Sequence, residues 1–293
     1  MLVYRRFFLK GGIKMITLQH SLATLYGLRG NCEEFDKEIP YVLLPDAIRK
    51  YCGPRQYTHF EEASDKTDIS WYKFPKTIKN IESKDEALDT DLHLANCVPA
   101  AIGEQTHIEE FEAHNQHLSP EYYAGVKKHL TQDCIFDEFI RQQIDCSKKY
   151  EDKYTFKGTE YDGKGIRKVI GDIENQGLYI LAYMMDKSYG ITTNQEWFDR
   201  HVKDVLDREY SADLAEGTYK YMHIPEEINK RITEKDWSHL NEGILPLSEY
   251  MEMYKEVITE MPKIDMEKSE RESGIKNSEK AKSNTMAEGP EDR

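Results

Sequence analysis

Apolar residues return every three or four positions through most of this chain, and runs that alternate apolar with polar are few. That period matches the turn of an α-helix, so the pattern predicts an all-α chain. The longest periodic stretch covers 122–144, with Tyr123, Val126, Leu130, Cys134 and Ile140 on its apolar face. Ahead of it, a first helix begins at Met15, with Thr17 as a cap and Leu18, Leu22, Leu25 and Tyr26 turned inward. A charged stretch then leads to a short apolar segment stopped by Pro45. Proline pushes the preceding Leu44 toward extended backbone, which places Asp46 at a turn or helix start. Further helices are expected over 88–97 and 106–117.

Beyond the long helix, 146–171 is polar and glycine-rich and reads as a loop or short hairpin. An apolar helix follows and ends near Gly190. Another starts at 193–196 and runs to about Tyr210, with Trp197, Phe198, Val202, Val205 and Leu206 inward. Pro225 fits the first position of the next. Ser248 caps the last, whose apolar residues are Tyr250, Met251, Tyr254 and Val257. The sequence thus divides into an upstream extension at 1–14, a helical core at 15–146 and a helical C-terminal part at 147–262 packed on it. Residues 263–293 carry no aromatic side chain and are expected to form a disordered tail.

Composition narrows the function classes. A formal net charge of −14 over 293 residues argues against general binding of double-stranded nucleic acid, which needs a basic stripe. With 32% charged residues and no long uninterrupted apolar run, no transmembrane segment is expected. Five scattered cysteines without a C-x-x-C pair favour a reduced, cytoplasmic protein over a disulfide framework. RRFFLK near the start has the look of a twin-arginine export signal, but no clean apolar stretch or A-x-A site follows it. Met1 and Met15 both stand as possible starts, and the oligomeric state is left open.

Candidate chemistry sits on the long helix. At roughly 100° per residue, His129 and Asp133 fall within the apolar stripe one turn apart, and Asp137 follows. A carboxylate turned into a core needs a partner or a metal, and His-x3-Asp presents two ligands to one ion. Taken alone, His20 reads as a core or surface histidine, Asp46 as an N-cap, and His59 as part of an irregular aromatic-rich segment. His107, His114 and His117 read as solvated. A metal-free alternative pairs Asp133 with His129 and with Arg49 or Arg55.

Taken in order, LQHSLATLYGL, LLPDAIR, YTHFE and YYAGVKKHLTQDCIFDEF resemble the zinc-dependent phospholipase C family, whose wider helical fold includes single-strand nucleases. The resemblance spans 15–144. It implies an all-α fold holding one to three Zn²⁺ ions, in which a metal-bound hydroxide attacks a phosphodiester. Asp46, His59 and His129 would ligate one ion, Asp133 would bridge to a second, and His20 would serve another position. Asp46 and Asp133 would be the catalytic carboxylates. The substrate implied is a phosphate-ester small molecule or a lipid head group. Imidazole nitrogen and carboxylate oxygen suit zinc, which lowers the pKa of bound water to about 7.

The chain also departs from that pattern. No His-x3-Glu comes soon after the His-x3-Asp helix, where the family carries one, and no histidine occurs between His129 and His201. His223-x3-Glu227 has the spacing but lies far downstream and is interrupted by Pro225. Asp137 or Glu138 would then have to substitute. The alternative function is a helical binding or interaction protein that keeps the scaffold with reduced catalysis. Neither G-x-S-x-G, nor G-x-G-x-x-G, nor a His-Asp dipeptide occurs.

Overall fold

The computed structural model describes residues 16–48, 58–60, 73–78, 81, 106–145 and 153–260. Its long central helix, α5, is Pro120–Gln143. Ser119 caps it by accepting a hydrogen bond from the Tyr122 N–H, and Pro120 takes the first position, where no N–H is needed. The cap and the proline together start the helix ahead of the periodic stretch. Tyr122, Val126, Leu130, Phe136, Phe139 and Ile140 are buried along it, while Tyr123 and Cys134, expected inward, are only half-buried.

Among the described residues the shorter helices ahead of it begin with α1 (Thr17–Gly27), α2 (Cys32–Val42) and α3 (Leu44–Ala47). Another, α4 (Ile108–His114), lies just before α5 and is shorter than the 106–117 expected. Helix α2 runs against α5 so closely that a Cβ added at Gly125 would lie 2.4 Å from Tyr41 Cβ. Downstream come α6 (Gly163–Tyr189) and α7 (Gln195–Phe198), which passes through the π-turn Asp199–Lys203 into α8 (Asp204–Glu209). The remaining helices are α9 (Ala212–Tyr219), α10 (Glu226–Glu234) and α11 (Leu247–Glu260).

The fold is all-α, and among the described residues it carries one small ribbon of three antiparallel strands, β1 (Ile144–Asp145), β2 (Tyr154–Phe156) and β3 (Thr159–Tyr161). Lys157 and Gly158 both have positive φ, 49° and 76°, which is the backbone of a two-residue hairpin turn. A single buried apolar cluster extends from Leu18 to Val257, so the C-terminal helices pack on the N-terminal ones. The Gln19 amide joins the two parts by donating to the Glu174 carbonyl and the Tyr254 hydroxyl.

Several expectations need correction. The charged stretch and the apolar segment as far as Val42 form one helix, α2, capped by Asn31 with Glu33 and Glu34 in its first turn, where acidic groups complement the helix dipole. Pro40 lies inside α2, and its carbonyl accepts a hydrogen bond from the Tyr210 hydroxyl. Leu44 is helical, not extended. Leu43 and Leu44 are wholly buried, and their packing overrides the local preference before proline. Asp46 therefore lies within α3 and is not its cap. Thr17 is likewise the first residue of α1; Gln19 Oε1 reaches back to accept from the Ile16 N–H.

Within 146–171, the described residues hold β2, β3 and the start of α6, which Asp162 caps through the Gly165 N–H. Asn194 caps α7, and all five residues expected inward between Trp197 and Leu206 are buried. Pro225 immediately precedes α10, and α11 begins at Leu247, ahead of Ser248. In α11, Met253 is buried and Met251 is 37% exposed, because Tyr250, Met253, Tyr254 and Val257 follow the i, i+3, i+4, i+7 spacing of one face. The upstream extension, the helix expected over 88–97, the tail at 263–293, and Cys52, Cys97 and Cys146 lie outside the described residues. Cys32 is a free thiol, and Cys134 Sγ donates to the Thr106 carbonyl. Among the described residues no helix is long and apolar enough to cross a membrane.

Candidate metal centre

Helical spacing puts His129 and Asp133 on one face of α5, both fully buried. His20, also fully buried, comes from α1, and Asp46 from α3. His59 lies in helical backbone immediately before Phe60. That residue has φ +52°, uncommon for a bulky side chain. Phe60 is held there by burial against Phe74 and Phe111, while its carbonyl accepts from the His107 N–H.

The five residues singled out from the sequence converge. His59 Nε2 lies 3.1 Å from His129 Nε2, 3.4 Å from Asp46 Oδ1 and 3.7 Å from Asp133 Oδ2. His129 Nε2 is 3.4 Å from Asp133 Oδ2, and His20 Nε2 is 3.2 Å from Asp133 Oδ1. Nitrogen and oxygen ligands about 2.0–2.1 Å from a tetrahedral zinc ion stand about 3.3 Å apart, so these separations suit a shell around a cation. Two overlapping sets result, Asp46–His59–His129 and His20–His129–Asp133, each with its donor atoms within 4.8 Å of one another.

Half-buried Thr17 and the buried Thr24, Thr58 and Gln132 surround the donor atoms that face away. Thr17 Oγ1 donates to Asp46 Oδ2 at 3.1 Å, and Thr58 Oγ1 lies 2.8 Å from His59 Nδ1. Gln132 Oε1 is 2.6 Å from His20 Nδ1, while its Nε2 donates to Thr24 Oγ1 at 3.1 Å. The His20 and His129 rings stack with centroids 3.8 Å apart. Outer contacts of this kind orient metal-binding imidazoles and carboxylates. Sequence reasoning missed Thr17, Thr24, Thr58 and Gln132. Two signals pointed toward them: Thr58 adjoins His59, and Gln132 follows His129 by three positions on a buried helix face.

Burial holds the His129 imidazole below its ordinary pKa; His20 adds to this effect and Asp133 opposes it. A histidine with a lowered folded pKa stays neutral while the unfolded chain takes up a proton, so stability is lost as pH falls below the ordinary value near 6.5. Ion-free protein is expected to lose up to about 1.4 kcal/mol per pH unit below that point from this residue. Urea titrations at pH 7.5 and 5.5 should show the loss, and His129→Gln should flatten it. An equal slope in the variant would assign the effect elsewhere.

The other candidates lie elsewhere. Asp137 is buried one turn beyond Asp133, facing inward as expected, but belongs to neither set. Glu138 is exposed and pairs with Arg141. His107 pairs with Glu109, His114 with Glu110, and His117 Nε2 meets the Phe74 carbonyl. His223 and Glu227 are both exposed, and Glu227 pairs with Arg231. Arg49 and Arg55 lie outside the described residues.

Comparison with protein-family models, with curated proteins and with solved structures returns no match. Fold and site together define a helical protein with a buried cluster of histidines and aspartates that could hold an ion.

Proposed function

We propose that this chain is a metal-dependent phosphoester hydrolase of phospholipase C-like architecture, acting in the cytoplasm on a phosphate-ester small molecule or a lipid head group. The observation that carries this reading is the convergence of five donor side chains from four separate segments at spacings of 3.1–3.7 Å. Two imidazoles and a carboxylate form the ligand set of a hydrolytic zinc site that keeps a fourth position open, and Asp46–His59–His129 supplies such a set. Bound zinc would lower the pKa of water to about 7 and offset charge on the phosphoryl oxygens. Asp133 reaches both sets, with Oδ2 toward His59 and His129 and Oδ1 toward His20. It is the residue suited to bridge two ions. Asp46, 18% exposed beside fully buried imidazoles, marks the side from which an ester would approach.

One observation favours a second reading, in which the scaffold binds an ion without turnover. Among the described residues no His-x3-Glu joins the cluster, and apart from Asp46 every donor is fully buried. The test is to strip the protein with chelator, reload it with Zn²⁺, and assay phosphodiester, phosphomonoester and phospholipid substrates. Zinc-dependent turnover lost in His59→Ala supports the hydrolase. Ion binding without turnover on any substrate favours the second reading, and failure to bind zinc or any other divalent transition metal overturns both.

A further inference from the structure

We infer that Gln132 is a positioning residue that fixes the proton of His20 on Nδ1, leaving Nε2 of that ring as a bare lone pair turned toward Asp133. The consequence for ion binding rests on the reading above, whereas the proton position is a separate claim.

The argument begins with spacing. His20 and Thr24 lie one turn apart on the face of α1 that meets α5, and both are wholly buried. Gln132, also wholly buried, spans the two with opposite ends of one amide. An amide nitrogen only donates and an amide oxygen only accepts. Because Nε2 donates to Thr24 Oγ1, the amide is turned so that Oε1 faces His20 Nδ1 at 2.6 Å. A pure acceptor at that distance calls for an N–H on Nδ1, and in a neutral imidazole the other nitrogen then carries no proton.

That other nitrogen, Nε2, lies 3.2 Å from Asp133 Oδ1 yet makes no hydrogen bond. Two electron-rich atoms facing each other in a buried site repel unless a cation lies between them. The opposite tautomer would instead donate Nε2–H to Asp133 Oδ1, with no ion needed between the two atoms. Gln132 thus separates a ring prepared to bind a cation from one that satisfies the carboxylate itself.

Two-bond ¹H–¹⁵N correlation spectra of the ion-free full-length protein read the tautomer of His20 directly. Wild type should show the Nδ1–H form. Gln132→Met, similar in length but without an acceptor, should convert it to Nε2–H, whereas Gln132→Glu keeps an acceptor and should retain the wild-type form. Thr24→Val, which frees the other end of the amide, should give a mixture and serves if Gln132→Met fails to fold. Titration with Zn²⁺ should show roughly 10–100-fold weaker binding for Gln132→Met and a change of a few-fold at most for Gln132→Glu. A simple cross-link between α1 and α5 would move stability but not the tautomer. An Nε2–H signal in wild type, or a tautomer unchanged in both Gln132→Met and Thr24→Val, overturns the inference whatever the ion does. A tautomer that switches as expected in a protein that binds no ion supports the inference and sinks the metal reading alone.

Discussion

Asp133→Asn is expected to lose divalent-ion binding and, with it, any ester hydrolysis. Among the described residues Asp133 is the one carboxylate that approaches all three imidazoles, at 3.2 Å from His20, 3.4 Å from His129 and 3.7 Å from His59. Asparagine keeps the shape and one carbonyl oxygen but removes the charge and one of the two ligating oxygens. Altering an outer-shell contact typically costs 10–100-fold in metal affinity, so loss of a ligand that reaches both sets should cost at least about 100-fold. An ion present at a hundred times its dissociation constant adds about 2.7 kcal/mol to stability. Zinc should therefore raise the unfolding temperature of the wild type and leave that of Asp133→Asn unmoved, while the two chains unfold similarly in chelator. Equal zinc content and equal zinc-induced stabilisation in the variant would remove Asp133 from the centre.

The second large effect concerns stability alone. Lys128 and Glu38 form a short ion pair between α5 and α2, and each side chain is only 4% exposed. Burial pushes the Glu38 carboxyl above its ordinary range, and Lys128 opposes this. Lys128→Met leaves the carboxylate buried without its cation, a change that costs about 3–5 kcal/mol. For a chain of this size that corresponds to an unfolding temperature lower by on the order of 10 °C. The carboxylate charge is then the source of the loss, so the deficit should shrink as the pH is lowered and Glu38 takes up a proton. The double variant Lys128→Met, Glu38→Leu should regain most of it, because a buried pair replaced by apolar side chains is often neutral. Calorimetry on the three chains decides the matter, and a loss below about 1 kcal/mol in the single variant would show that water reaches the pair.

The sequence signals that worked were those in which one residue type leaves a strong local mark. Helical periodicity revealed α5, and two ionisable residues on its apolar stripe revealed His129 and Asp133, since burying such groups demands a partner. His20, Asp46 and His59 carried no such mark individually, and only their order in the chain suggested a set. The failures lie where distant packing outweighs local preference. Helix α2 was obscured by Pro40 and by a charged first half whose Glu38 finds its partner 90 residues away. Lys128, next to Lys127 in a lysine pair, gave no hint of being buried until α2 was in place. Gln132 resembled any polar residue on a helix, because its role depends on the two partners, His20 and Thr24, that α1 brings to it.

Gln19 and His20 are neighbours in α1, yet their side chains await different parts of the chain. His20 meets Gln132, 112 residues later, whereas Gln19 meets Tyr254, 235 residues later. During synthesis at roughly 5–20 residues per second, those two partners leave the ribosome on the order of ten seconds apart. The nascent chain can therefore gather its histidines and aspartates while the opposite side of α1 still lacks α11. An ion bound at that stage would hold the N-terminal helices together and present a finished surface for the last helix to dock on.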